Sequence, residues 1–267
     1  MALTITVLSQ KGGTGKTTTV RTLTDAYRRA GLDVLCVDLD PQGNLSDYFD
    51  VPADASPTVA DVLGGQAHAG EAVHDDILPA NLGLAEAELV LSGKMGRELT
   101  LRRGLREIKR HYDLVIVDCP PALGLLTVNA LVAADHALIS SEAEYFSLQG
   151  VEQALQVLEL ARESLHPDLN WLGVVLNIAD MRLVHAREAL QSLQERFGDK
   201  VFDSVIRRSV RYAESAERGV SILDYAPDLG GDYVALAAEI LDRLDGFDDA
   251  RERLSTASRS ATIASSS

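Results

Sequence analysis

The residues with the clearest chemical potential lie near the start of the chain, in the stretch SQKGGTGKTT at residues 9–18. A phosphate-binding loop of the form G-x-x-x-x-G-K-[ST] aims backbone N–H groups at phosphate oxygens, beside the first turn of a helix. This stretch departs from that form because Gln10 stands at the position of the first glycine, and it carries an additional lysine, Lys11. An apolar run precedes it and a helical pattern follows, so the sequence predicts a phosphate-binding loop rather than a glycine turn without a ligand.

The loop would supply most of the contacts to a bound nucleotide and its metal ion. Lys16 would neutralise the β- and γ-phosphates, and the Thr17 hydroxyl would ligate Mg²⁺. The candidate phosphate-binding residues are Lys11, Gly12, Gly13, Thr14, Gly15, Lys16, Thr17 and Thr18.

Three aspartates at the ends of predicted strands complete the candidate metal site with Thr17. Asp118 ends the apolar run DLVIVD, while Asp38 and Asp40 belong to the segment DLDPQGN. Ligands of open α/β sheets bind at the carboxyl ends of the strands, where these carboxylates would lie. An aspartate that only begins a turn is the alternative, and it applies best to Asp38.

The elements that must position these residues alternate along the chain, strand after helix. This order predicts an α/β fold with a doubly wound, mainly parallel sheet flanked by helices. We predict strands over residues 3–8, 33–38, 113–118, 137–140, 172–177 and 201–206. We predict helices over residues 17–30, 97–109, 147–165, 183–197 and 231–244. Residues 1–244 are expected to form one domain, and residues 245–267 an acidic, then Ser/Ala/Thr-rich tail that is disordered at its end.

Composition excludes several classes of protein. Hydrophobic residues make up 46% and charged residues 24% of the chain, as in ordinary globular proteins. No apolar run approaches the roughly 18 residues of a membrane span, and the first predicted strand leaves no room for a signal peptide. Cys36 and Cys119 both lie in apolar runs, which argues against a disulfide scaffold. We therefore expect a cytoplasmic protein without a membrane partner.

Three motifs in order along the chain are similar to those of a known family. The segments KGGTGKTT, DLDPQGN and YDLVIVDCPPALGLLTVNAL resemble the ParA/Soj branch of the deviant-Walker P-loop ATPases. Two later segments, EAEYFSLQG at 142–150 and VIRRSVRYAESAERGVSILDYAP at 205–227, also resemble family segments, so the resemblance extends from about residue 3 to about residue 244. It implies an ATPase of weak intrinsic rate that uses ATP and Mg²⁺ and forms an ATP-bound homodimer.

The resemblance also implies roles for the catalytic residues Lys11, Lys16 and Asp40. Lys11 would reach across the dimer to the phosphates of the partner subunit's ATP, where a second cation compensates charge in phosphoryl transfer. Asp40 would position or activate the attacking water. The alternative for Lys11 is a solvated loop lysine.

The remaining family roles concern the metal ion and the base. Asp38 would support the Mg²⁺ shell, and Asp118 would hold the ion through water. Asn177, at the end of the run GVVLN, matches a position that contacts the adenine, although an asparagine that merely closes a turn is an equal alternative.

The partners implied by the resemblance are double-stranded DNA, bound without sequence preference, and a ParB-like centromere-binding protein that stimulates hydrolysis. The protein would then be associated with the nucleoid. Although the net charge is −15, residues 182–218 hold eight Lys/Arg and six Asp/Glu, a local charge of +2. The DNA-binding candidates are Arg187, Arg207, Arg208, Arg211 and Arg218. A solvated surface with ordinary salt bridges is the alternative.

Other functions of related ATPases compete with DNA partition. A MinD-like membrane ATPase would end in a basic amphipathic helix, and the C-terminal segment lacks its apolar face. An iron–sulfur reductase would need cysteines placed to share a cluster, whereas Cys36 and Cys119 lie in strand-like runs. A positioning ATPase for a non-DNA cargo stays open, since its ATPase core would be identical.

Overall fold

One parallel sheet of seven strands organises the described residues, 2–144 and 146–265 of a computed structural model. The strand order is β3-β2-β4-β1-β5-β6-β7, and every neighbouring pair is parallel. The strands are β1 (Leu3–Leu8), β2 (Val34–Asp38), β3 (Ile77–Leu78), β4 (Leu114–Asp118), β5 (His136–Glu142), β6 (Asn170–Ala179) and β7 (Val201–Arg207).

Helices cover both faces of the sheet. They are α1 (Lys16–Arg29), α2 (Asn44–Tyr48), α3 (Val59–Gly64), α4 (Ala69–Ala72), α5 (Gly83–Leu91), α6 (Thr100–Leu105), α7 (Leu125–Ala133), α8 (Ser147–Ser164), α9 (Val184–Phe197), α10 (Arg211–Glu217), α11 (Ile222–Tyr225), α12 (Pro227–Asp242) and α13 (Asp248–Ser265). Helices α3 and α5–α9 enclose one apolar core, while α1, α11, α12 and α13 enclose the other. The predicted doubly wound α/β fold is confirmed.

The central strands are buried from end to end, which explains their uniformly apolar sequences. All five residues of β2 and all five of β4 are buried. Strands covered on both faces have no solvent side, so they lose the alternation typical of half-exposed strands. Among the described residues, no helix is long and apolar enough to cross a membrane.

The helix predicted over residues 97–109 is interrupted. Short 3-10 turns at Arg97–Leu99 and Ile108–His111 flank the six-residue α6. Asn129 of α7 causes the first interruption, because its amide accepts the Leu101 N–H at 3.2 Å and donates to the Arg97 carbonyl at 2.9 Å. These backbone groups are therefore bonded to a neighbouring helix rather than within their own.

The segment predicted as a C-terminal tail contains α13, which packs against the domain. Ala250 and Leu254 are buried in the core beside α12. The Arg253 guanidinium donates to the Ala30 carbonyl at 2.8 Å, at the end of α1. Polar composition conceals this docking because only one face of α13 is apolar. Disorder is predicted for the very end of this segment. Residues 266 and 267, which belong to that end, lie outside the described residues.

Candidate nucleotide site

The glycine-rich loop lies at the carboxyl edge of the sheet, between β1 and α1. Strand β1 pairs with β4 so that Val7 lies beside Asp118, and β4 pairs with β2 so that Asp118 lies beside Asp38. The loop and two of the predicted carboxylates are thereby brought to one edge. This is the edge at which ligands bind in doubly wound sheets.

Two glycines give the loop its shape. Gly13 and Gly15 have φ values of +79° and +78°, in the left-handed region that side chains disfavour. A Cβ atom on Gly15 would lie 2.6 Å from Asn177 Nδ2, whereas one on Gly13 would meet open space. Gly15 is therefore required for both conformation and packing.

The Lys16 side chain lies beneath the loop. Its ammonium donates to Ser9 Oγ at 3.1 Å and to the Lys11 carbonyl at 3.3 Å. Burial lowers the pKa of Lys16, although the nearby Asp118 carboxylate opposes this effect. A phosphate would supply the counter-charge that these neutral oxygens lack.

Thr17 and Asp118 form the part of the site best suited to Mg²⁺. The Thr17 hydroxyl donates to Asp118 Oδ2 at 2.6 Å, and the buried Asp118 Oδ1 has no hydrogen-bond partner. Burial, with the adjacent Asp38 carboxylate, raises the pKa of Asp118 to about 8. A nearby cation would relieve this cost of a buried charge.

The carboxylates do not assemble a complete metal cage. Within the described part of the chain, no three His, Cys, Asp or Glu side chains cluster tightly enough to hold an ion. Mg²⁺ commonly retains waters and binds one or two protein ligands together with substrate phosphates. The hydroxyl of Thr17 and the unsatisfied Asp118 oxygen fit that mode of binding.

Asp38 and Asp40 differ in environment despite their proximity in sequence. Asp38 is fully buried, and its oxygens accept hydrogen bonds from the Asp40 N–H at 3.0 Å and from Ser46 N and Oγ at 2.9 and 2.8 Å. Burial raises the pKa of Asp38 to about 6. Asp40 instead lines a cavity above the phosphate-binding loop, and its Oδ1 accepts the Gln42 N–H at 3.0 Å. Asp38 thus orders the loop that carries Asp40.

A cavity of about 770 Å³ opens above the loop. This volume is within the usual range for small-molecule sites. Predicted residues on its wall are Gly12, Gly13, Gly15, Lys16, Thr17, Thr18, Asp40, Asn177, Arg207 and Arg208. Thr14 lies behind the loop instead, where its hydroxyl donates to Ser9 Oγ at 2.8 Å.

Asn177 lies at the base of this cavity, against the loop. Its amide nitrogen donates to Thr19 Oγ1 at 3.1 Å and Ser140 Oγ at 3.3 Å, and its oxygen accepts the Ile178 N–H at 2.8 Å. Ser140 in turn donates to the Thr14 carbonyl at 2.8 Å. Asn177 therefore connects β5, β6 and α1 to the loop, and its predicted contact with adenine stays a prediction.

Lys11 points away from the cavity of its own chain. Its side chain is 58% exposed, and the ammonium donates to Glu144 at 2.7 Å and Glu142 at 3.3 Å. The hydrogen bonds that Lys11 donates to these carboxylates, the one to Glu144 first, raise the pKa of Lys11. The two lysines therefore lie on different sides of the loop. Lys11 is outside it, at the surface, and Lys16 is beneath it.

Comparison with known proteins identifies the family. Residues 2–171 match a family model described as an AAA domain. The chain is 37% identical over 251 residues to the chromosome-partitioning ATPase Soj of Treponema pallidum, covering 91% of this chain and 98% of that protein. It is 37% identical over 250 residues to the chromosome partitioning protein ParA of Caulobacter vibrioides, covering 90% and 94%. The chain belongs to the ParA/Soj family of ATPases.

A solved structure similar to this ParA/Soj-family ATPase contains an adenine nucleotide and magnesium. It is described as cobyrinic acid a,c-diamide synthase from Mycobacterium smegmatis with bound ADP and magnesium. The two share 36% identity and a TM-score of 0.74, over 81% of this chain and 93% of that one. The predicted family, ATPase activity and cofactors ATP and Mg²⁺ are confirmed.

Three candidate arginines of the ATPase lie at the end of β7 or just after it. Arg207 and Arg208 line the nucleotide cavity. Arg207 pairs with Asp232 at 2.8 Å and Arg211 with Asp228 at 3.4 Å, whereas the Arg208 guanidinium makes no ion pair with a described residue. Arg208 is therefore the one of these three without a direct ion pair, although the carboxylates of Glu144 and Asp180 lie within electrostatic range.

The other two candidates lie on exposed surfaces of the ATPase. Arg187 donates to the carbonyls of Met181 at 3.0 Å and Arg182 at 2.9 Å, in the turn before α9. The Arg218 guanidinium lies 5.1 Å from the centre of the Tyr225 ring. Neither guanidinium is neutralised by a carboxylate among the described residues.

The sequence prediction omitted one wall of the ATPase cavity. Tyr212, Ala213, Ala216 and Glu217 of α10 line it opposite the loop. Along the chain these residues are one, three and one positions apart, which places them on one face of the helix. This spacing is the only local sequence signal that could have indicated a shared wall. The family resemblance of residues 205–227 pointed to this segment without assigning these side chains.

Proposed function

We propose that this protein is a DNA-partition ATPase that dimerises on ATP, binds duplex DNA without sequence preference and leaves it after hydrolysis. A ParB-like centromere-binding partner would stimulate hydrolysis, and the protein would associate with the nucleoid. The names and extent of the Soj and ParA relatives support the partition function.

The observation that carries the proposal is the orientation of Lys11. Lys16 lies beneath the loop of its own chain, while Lys11 lies outside it, at the surface, with Glu142 and Glu144. A lysine so placed serves a nucleotide that approaches from another subunit. Two subunits facing each other would exchange their Lys11 side chains, which makes each site incomplete without its partner.

Within each site the remaining residues have separate roles. Lys16 neutralises the β- and γ-phosphates, the loop N–H groups hold them, and Asp40 orients the attacking water. Thr17, Asp118 and the Asp38-ordered loop would hold Mg²⁺, which would supply positive charge against the charge that develops on the phosphates.

DNA binding would use one arginine that borders the nucleotide cavity and two that lie elsewhere on the surface. Arg208 lines the cavity without an ion-pair partner, and Arg187 and Arg218 are exposed without a carboxylate partner. Phosphate contacts require cations and little sequence-specific geometry. Because Arg208 lies at the nucleotide site, pairing of two subunits around ATP would bring the two Arg208 side chains close to each other.

A positioning ATPase for a non-DNA cargo is the second candidate. It is favoured by the carboxylates that neutralise Arg207 and Arg211, namely Asp232 and Asp228. Fewer free cations at this surface would weaken contacts to phosphates.

The test is retention of a random-sequence duplex in a gel-shift experiment with ATP, ADP or no nucleotide, across a salt series. We expect ATP-dependent retention that weakens with salt and is lost in Lys11→Ala and in Arg187→Ala/Arg208→Ala. Arg196→Ala, which removes an exposed arginine paired with Glu152, is the matched control. Equal retention in ATP and ADP would argue against ATP gating, and hydrolysis without retention would favour the non-DNA cargo.

A further inference from the structure

A second basic segment comprises α6 and the two 3-10 turns that flank it. Residues 97–111 hold six Lys/Arg and two Asp/Glu, a net charge of +4 within a chain of net charge −15. Residues 182–218 reach only +2 over a longer stretch. Cations concentrated in a strongly acidic protein mark a local preference for an anionic partner.

The cations of this segment line a shallow groove of about 510 Å³. Arg102, Arg103, Arg106 and Lys109 form one side, with Asp135 among the residues facing them. We call these four residues the basic edge patch. Arg102 and Arg106 are four residues apart, so their Cβ atoms lie within about 6 Å on one helical face.

Most of this charge is not used by the fold. Arg102, Arg103 and Arg106 are exposed and make no ion pair with a described residue. Lys109 is the exception, with its ammonium 3.4 Å from Asp135. By contrast, Arg207 and Arg211 near the nucleotide cavity are each paired with an aspartate. Guanidinium groups suit phosphate recognition, and three neighbouring ones without an ion-pair partner leave their donors free for it.

The groove lies at the sheet edge opposite the nucleotide cavity. Asp135 accepts the Thr4 N–H at 2.7 Å and its carbonyl accepts the Asn170 N–H at 3.0 Å, at the amino ends of β1 and β6. The phosphate loop follows the other end of β1, about 20 Å away for a six-residue strand. A ligand in this groove would not contact the bound nucleotide.

We infer that the basic edge patch binds the phosphate backbone of duplex DNA, as a second contact that does not depend on the nucleotide state. The choice of DNA rests on the proposed function. An open row of cations suits an extended polyanion rather than one enclosed phosphate. The contact provides a weak DNA affinity in the ADP-bound and nucleotide-free protein, to which the ATP dimer adds its own contacts.

The experiment measures binding of a fluorescent random-sequence duplex to the full chain by anisotropy, over a salt series without nucleotide. The variant is Arg102→Ala/Arg103→Ala/Arg106→Ala, checked for folding by thermal unfolding. The matched control is Arg162→Ala/Arg196→Ala/Arg251→Ala, which removes three arginines that are each paired with a carboxylate. The slope of log K against log [salt] is negative. We expect its magnitude to decrease by about three in the first variant and to stay unchanged in the control.

Equal slopes for the folded patch variant and wild type would overturn the inference. A patch variant that loses binding to phosphatidylglycerol vesicles, while duplex binding stays intact, would also overturn it in favour of an anionic membrane surface. The ATP-dependent increase in affinity is read separately, in the same titration with ATP. Its absence would count against the proposed ATP-gated function, while a patch effect without nucleotide would still support the second contact.

Discussion

The Thr17 hydroxyl donates to Asp118 Oδ2 at 2.6 Å, and the other oxygen of this buried carboxylate has no partner. This pair links the start of α1 to the end of β4 and presents an oxygen pair to a cation. In the proposed site, Asp118 would support Mg²⁺ through water and Thr17 would ligate it directly.

Asp118→Asn is therefore expected to weaken Mg²⁺ binding about 10- to 100-fold, the usual effect of losing an outer-shell carboxylate. The Mg²⁺ concentration that gives half-maximal ATP hydrolysis measures it. Thr17→Ser keeps the hydroxyl and is the control, expected to stay near wild type, whereas Thr17→Ala loses the ligand. An unchanged Mg²⁺ midpoint in Asp118→Asn would exclude this role.

Gly15→Ala is expected to abolish ATP binding, because its Cβ would lie 2.6 Å from Asn177 Nδ2 at a φ of +78°. Gly13→Ala provides the matched comparison, since Gly13 has φ of +79° and open space around the added atom. Backbone strain alone costs roughly 1–2 kcal/mol. Isothermal titration with ATP and thermal unfolding of both variants separate strain from the clash. Equal losses in the two would show that Asn177 does not hold the loop.

Glu142→Gln/Glu144→Gln is expected to favour the ATP dimer. In the single chain both carboxylates hold Lys11, and the proposed transfer of this lysine to a partner's ATP requires both contacts to break. Their removal should lower the protein concentration at which ATP drives dimerisation, while folding stability changes little because exposed ion pairs contribute little. Sedimentation velocity with and without ATP measures the shift. A weaker dimer in the variant would mean that these carboxylates belong to the interface.

Leu254→Ala is expected to destabilise the domain by roughly 2–5 kcal/mol, the usual cost of truncating a buried leucine. Leu254 is buried in the core that includes α12, although its segment reads as a polar tail. Glu252→Ala, an exposed change on the same helix, should stay within about 0.5 kcal/mol. Urea unfolding of both variants measures the difference in stability. Similar midpoints would show that packing of α13 against the core does not stabilise the domain.

The parts of the structure that were predictable from sequence share a strong local signal. Strands β1, β2 and β4 are short apolar runs, and the loop between β1 and α1 has its glycines and lysine at characteristic spacing. Burial on both sheet faces requires such runs, and phosphate binding requires such a loop.

Other parts depend on contacts between distant segments. Strand β3 has only two residues, which are too few for a pattern, and it exists because β2 pairs with it. The interruption before α6 depends on Asn129, and the burial of Asp38 depends on Ser46. The exposure of the basic edge patch likewise follows from packing that sequence periodicity does not encode.

The most direct test of the central claim mixes two inactive variants, Lys11→Ala and Asp40→Ala, and measures ATP hydrolysis. If Lys11 acts across the dimer and Asp40 within its own chain, each mixed dimer has one intact site. An equal mixture should then regain about one quarter of the wild-type rate, since half the dimers are mixed and half their sites work. Lys16→Ala mixed with Asp40→Ala is the control and should regain nothing, because both residues act within one chain. No recovery in the first mixture would contradict an ATPase whose site is completed by its partner.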